Sequence, residues 1–228
     1  MRLAVAVALA SALLTIAPAG RADGQGAPAF VTADRVAVRY FSPDTGGPSH
    51  PRFITERALA FEARLQSLAD DRTLDFQERH VRAAIDLHIA RDMLAQLPLA
   101  READVPTVAR TADLLREALT ARIGGADALA AAAAKDGVGA AEIDALFRRD
   151  ARAALYIDRV ITPVLRPSES QLRDVFHTAA HPFRSLSLDD AREGLSRWLA
   201  AERVRGAETA FSQTARARVV LTYAAREP

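Results

Sequence analysis

The chain contains no cysteine, a single lysine and few aromatic residues, and each shortage excludes something. Without a thiol there is no cysteine nucleophile, no Cys-ligated zinc or iron–sulfur cluster, no lipoprotein anchor and no disulfide scaffold. Lys135 stands alone among 30 Lys and Arg residues. Together with the abundance of alanine, this bias points to a GC-rich coding sequence. A surface made for nucleic acid would show a net positive balance, whereas the formal charge here is +1, so no nucleic-acid partner is expected. Glycine-rich phosphate loops of the Walker or dinucleotide type are missing, as is Gly-x-Ser-x-Gly, so nothing suggests a nucleotide-driven mechanism.

What is present is the composition of a globular protein, 50% hydrophobic and 26% charged over 228 residues. That length holds a sizeable core in one domain or two small ones. The one long apolar run is the first segment. Met1-Arg2 precedes the uncharged stretch Leu3 to Ile16, and Ala17-Pro18-Ala19 and Gly20-Arg21-Ala22 offer small residues where a signal peptidase reads. Residues 1–22 are expected to be a secretory signal peptide cleaved near Ala19 or Ala22, since the run is shorter than the roughly 20 residues of a membrane span. The mature chain is then nearly neutral and lies in the periplasm or is secreted, without stable membrane insertion. Residues 23–33, rich in Gly, Ala and Pro, read as a flexible start.

The rest reads as one mainly helical domain over residues 34–228. Val36, Val38 and Tyr40 alternate with polar neighbours, which predicts a short strand, and the breaker-rich Ser42 to Pro51 predicts a long turn. Ile54, Ala58, Phe61, Leu65 and Leu68 predict a helix capped by Thr55. Asp75-Phe-Gln-Glu78 resembles a capping box for a second helix carrying Val81, Ile85, Ile89, Met93 and Leu97. A third carries Val105, Val108, Ala112, Leu115 and Leu119 and stops at Gly124-Gly125, and an Ala-rich one spans Ala126 to Lys135. One long helix from Ile143 to Val164 is expected to kink or fray near Pro163. Ser168 and Gln171 form a capping box for the helix of Leu172, Val175 and Phe176. A last long helix from Leu188 to about Thr214 carries Leu195, Trp198, Leu199, Val204 and Phe211, and Ala217 to Tyr223 alternates as a second strand. Two lone strands at opposite ends satisfy their edges by pairing in a two-stranded ribbon.

Catalytic constellations are wanting. His177 and His181 share a helical spacing, but Pro182 follows and no carboxylate completes a ligand set, so two polar residues at a helix end is the better reading. His80 and His88 border an apolar stripe and read as partly buried, hydrogen-bonded side chains. Arg148-Arg149-Asp150 reads as a solvated face with local pairs. No metal, cofactor or catalytic residue is assigned.

The order of elements resembles the N-terminal chaperone module of SurA/PpiC-type periplasmic peptidyl-prolyl isomerases. Asp34 to Tyr40 followed by Phe53 to Leu59 looks like that family's opening strand, turn and capped helix. Gly124 to Leu129, Asp136-Gly-Val138 and Glu142-Ile143 look like its short helix, break and next helix. Tyr156 to Val164 with Leu165 to Phe176 looks like the long helix, turn and short helix that normally lead into the isomerase domain. The resemblance covers residues 34–180, with 188–228 as a closing helix and strand. It implies a multi-helix fold of the trigger-factor/SurA peptide-binding kind. It also implies ATP-independent binding of unfolded or exported polypeptides. The parvulin domain and its motifs are missing after Phe176, so isomerase activity is not carried over; Ser42–Pro51 is longer than the family's hairpin, a departure in the geometry near the first strand. Phe53, Phe76, Met93, Phe147 and Tyr156 are the larger apolar residues that could line a client groove. Two other readings stand beside this one: a residual prolyl isomerase, and a non-catalytic envelope scaffold.

Overall fold

The computed structural model describes residues 34–101 and 104–224; the expected signal peptide and flexible start lie outside them. The described residues open with strand β1 (Val36–Phe41) and two 3-10 turns, and return as β2 (Arg52–Thr55). Helices α1 (Glu56–Asp70), α2 (Glu78–Gln96), α3 (Pro98–Arg101), α4 (Val105–Ile123), α5 (Ala126–Asp136) and α6 (Ala140–Tyr156) follow. A π-helical turn (Ile157–Ile161) and a short α7 (Thr162–Val164) extend α6. Helices α8 (Glu169–Thr178) and α9 (Leu188–Arg218) then lead to strand β3 (Val220–Tyr223).

The helix starts follow local chemistry. The Thr55 hydroxyl accepts the Ala58 N–H of α1 at 3.3 Å, and Asp104 accepts the Thr107 N–H of α4 at 2.8 Å. Ser168 and Gln171 close the reciprocal box expected at α8, with bonds of 3.0 and 3.3 Å. At α2 the cap is Gln77 rather than Asp75: its N–H donates to His80 Nδ1 at 3.0 Å. Helix α4 stops where Gly124 and Gly125 take φ of 104° and 113°, a backbone that L side chains rarely adopt.

Three corrections concern the strands and the long helix. The ribbon expected between the chain ends is a three-stranded antiparallel sheet of order β2-β1-β3. Strands β1 and β3 do pair, Tyr40 opposite Leu221, but Arg52–Thr55 adds the other edge, Ile54 opposite Val38. Ile54 and Thr55 read as the entry to α1 because they also suit its apolar face and its cap; the partner that makes them a strand is remote. A bulge between Val36 and Val38 explains why Val38 and Tyr40 are buried while Val36 is not. Strand β3 begins only at Val220, so Arg216 and Arg218 belong to the last turn of α9. The long helix departs from α geometry six residues before Pro163. Proline cannot donate to the carbonyl four residues back, and the widened turn sends the Thr162 N–H to Ile157 O instead.

The core has three parts. Val38, Tyr40, Ile54, Ile85, Ile89 and Met93 pack between the sheet and helices α1 and α2. Phe61, Leu65, Leu68 and Ile123 join α1 and α4 to α5, whose Ala132 and Ala133 are buried despite the helix's small side chains. Phe147 and Ala151 of α6 pack on Val108 and Ala112 of α4. Each large side chain buried in this way stabilises the fold by about 1.5–3 kcal/mol. Helix α9 is held chiefly near its ends. Ala191 and Leu195 are buried at the start, where α8 packs, and Ala215 at the finish, where α2 packs. Between them no residue of α9 is buried. Among the described residues no helix is long and apolar enough to cross a membrane.

Candidate functional site

The suspended middle of α9 leaves a cleft of about 560 Å³ between itself and the helical body. One wall is the body: Leu65 of α1, Leu94 of α2, Leu115 and Leu119 of α4, and Leu146 of α6. The facing wall is a stripe on α9: Val204, Ala207, Glu208, Phe211 and Ser212. Their spacing of three and four puts them on one helical face, so α9 carries an apolar stripe whose middle is left half-buried, Phe211 packing at the edge of the core. The π-helical turn contributes Ile157 and Ile161, with Tyr156 just before it. Widened turns of this kind are frequent at functional sites. Leu97, Leu115, Leu119, Ile161, Val204 and Phe211 are only half-buried. An apolar surface left this open is a standing cost unless something covers it.

Beside the cleft lies a smaller, more polar pocket of about 290 Å³, bordered by Tyr40, Arg52, Phe53, His88, Asp92 and Arg149 among others. Glu62 and Leu146 border both. Glu62 Oε1 is 2.7 Å from His88 Nδ1 and 3.4 Å from Arg149 Nη1, and Arg149 Nη2 donates to Asp150 at 3.0 Å. Arg91 completes the chain by pairing with Asp150. Burial by itself would raise the Glu62 carboxyl. The charge of Arg149, with His88, outweighs that and holds it at about 2. Burial likewise lowers Arg149's proton affinity, and the Glu62 and Asp150 carboxylates more than reverse the effect. The Tyr40 hydroxyl donates to Asp92 Oδ2 at 2.8 Å, and burial followed by that carboxylate pushes the phenol above its ordinary value. These groups neutralise one another, and their arrangement is that of a cross-brace between the sheet, α1, α2 and α6.

The five sequence candidates are separated by the fold. Phe147 and Tyr156 do meet at the cleft, Phe147 as a buried part of its floor. Met93 is 2% exposed on the face of α2 turned towards the sheet, so it belongs to the core. Phe76 packs at the edge of the same core, beneath the Arg64 guanidinium at 5.0 Å from its ring centre. Phe53 is exposed on β2 and borders the polar pocket instead. The cleft's leucines and the α9 stripe were legible only as apolar helix faces. Arg149 and Asp150 also correct an expectation: their side chains are 15% and 8% exposed, half-buried and buried rather than solvated.

The remaining candidates are structural. His181 is buried, stacked on Phe176, and accepts the Phe183 N–H on Nδ1 at 3.2 Å, so Nε2 is free to donate to Phe176 O at 3.0 Å. His80 is 2% exposed, with Nε2 3.1 Å from Asp71 but out of line for a hydrogen bond. Among the described residues no group of His, Asp and Glu is placed to hold a metal ion. No protein-family model, no curated protein and no solved structure matches the chain.

Proposed function

We propose that the protein is an ATP-independent chaperone-like module of the cell envelope that binds unfolded or exported polypeptides in the cleft under α9. The observation that supports this most is the opposition of two apolar walls, Val204 and Phe211 on one side and Leu94, Leu115 and Leu119 on the other, across about 560 Å³ of open space. Exported chains travel unfolded and expose apolar segments. A surface of this size and shape covers such a segment while its half-exposed walls keep affinity modest, so that folding of the client drives release. The leader-like first segment and the family resemblance of residues 34–180 agree with that role. On this reading the fold is SurA-like without the catalytic domain.

The test is suppression of aggregation. The mature chain is mixed with a denatured outer-membrane protein on dilution, and light scattering is followed. Near-stoichiometric suppression is expected, together with client crosslinks from a photoreactive group at Phe211 and none from one at Leu114, which is 60% exposed on α4. Unchanged scattering at large excess would overturn the proposal.

A further inference from the structure

The cleft is apolar but not electrically blank. Five charged side chains border it: Glu62, Arg91, Arg122, Asp150 and Glu208. Four are matched within the fold. Arg91 pairs with Asp150, Glu62 faces His88 and Arg149, and Arg122 Nη2 lies 3.3 Å from Asp70. Glu208 has no such partner among the described residues. The nearest basic residue along α9, Arg205, is engaged with Glu202, and Arg203 is spent on Leu165 O and Gln171. Glu208 is therefore the one uncompensated charge on the cleft's border, and it sits in the middle of the apolar α9 stripe, between Val204 and Phe211.

Resting on the polypeptide-binding reading above, we infer that the cleft selects apolar segments that carry a basic residue, with Glu208 as the group that reads the charge. An arginine or lysine flanked by apolar side chains places its stem along Val204 or Phe211 and its head at the Glu208 carboxylate, as long basic side chains do on apolar surface. An acidic residue in the same place meets like charge. It finds no compensating cation, because Arg91 and Arg122 are already committed. The discrimination is electrostatic and exposed to solvent, so it is modest and sensitive to salt.

Short dansyl-labelled peptides rich in Leu and Phe, identical but for a central Lys, Ser or Glu, are titrated with the full chain by fluorescence anisotropy. The Lys peptide is expected to bind about threefold tighter than the Ser peptide and the Glu peptide about threefold weaker, with the spread shrinking at high salt. Glu208→Gln brings the three to one affinity. Glu193→Gln, a side chain 85% exposed on the same helix, keeps the ranking. Equal binding of all three peptides, or a ranking that survives in Glu208→Gln, overturns the charge selectivity and leaves the polypeptide-binding reading standing. Failure of every peptide to bind overturns both.

Discussion

Arg64 of α1 grips Asp136, the last residue of α5, through two parallel hydrogen bonds: Nε to Oδ2 at 2.8 Å and Nη2 to Oδ1 at 2.7 Å. Both side chains are only 7% exposed. The same guanidinium also donates to the Leu74 carbonyl and covers the Phe76 ring. One side chain thus fastens α5 and the α1–α2 loop to the body, and its hydrogen bonds to the Asp136 carboxylate raise its proton affinity. Removing the carboxylate leaves a buried, unpaired cation. Asp136→Ala is expected to destabilise the fold by about 3–5 kcal/mol in urea denaturation. Arg192→Ala breaks a pair whose side chains are 44% and 55% exposed and should cost far less, since solvent screens it. Comparable losses from the two would contradict this ranking.

The buried Glu62 carboxylate makes stability depend on pH. Its affinity for a proton is lowered from 4.5 in the unfolded chain to about 2 in the fold. The stabilisation is therefore fully present above pH 4.5 and is lost as pH falls from there towards 2. At about 1.4 kcal/mol per tenfold change in proton affinity, the loss is on the order of 3 kcal/mol. Acid titration followed by circular dichroism checks it. Glu62→Gln should be less stable at neutral pH and should show a flatter profile between those limits. A parallel profile would place the acid sensitivity elsewhere.

Much of the helical framework is legible in the sequence because its boundaries are set by local chemistry. Gly124, Gly125 and Ser168 act within a turn of themselves, and their effects fall where expected. The pairing of β1 with β3 was legible for another reason: two isolated strands must satisfy their backbones somewhere. Strand β2 was not, since four residues that follow a proline and end in the helix cap carry no signal of their own, and only β1 makes them a strand. The cross-brace escaped for the same reason, because Arg149 and Glu62 are 87 residues apart. The cleft is the sharper case. Val204 and Phe211 have the same spacing as a core face. Whether that face closes depends on how Leu195 and Ala215 anchor the two ends of α9, which periodicity does not encode.

Tyr40 ties the central strand to α2, and its hydroxyl is a separable part of that tie. Tyr40→Phe keeps the ring in the core but takes the donor from Asp92. Asp92 then retains only Gln96 at 3.4 Å and Arg52 at 3.9 Å. A loss of about 1–3 kcal/mol is expected from the under-satisfied carboxylate. Because burial and Asp92 hold the phenol above its ordinary value, the spectroscopic titration of the chain's three tyrosines should contain one late component. That component should vanish in Tyr40→Phe; its persistence would assign it to another tyrosine.

Pro163 is the local cause of the widened turn that brings Ile157 and Ile161 to the cleft, and this is testable by removing it. Alanine restores the N–H that a regular helix donates to the carbonyl four residues back, here Arg159, and removes the ring that crowds it. The chain from Tyr156 to Val164 can then continue in α geometry, and the extra residue accommodated by the turn moves on. Each residue of register rotates a helical side chain by about 100°, so Ile161 leaves the cleft wall. Pro163→Ala should raise stability by no more than about 3 kcal/mol and slow amide hydrogen exchange over residues 159–165. It should also weaken binding of an apolar fluorescent dye to the cleft. Slower exchange with undiminished dye binding would mean that the π-helical turn shapes the helix but not the cleft. Unchanged exchange would mean that Pro163 is not what widens the turn.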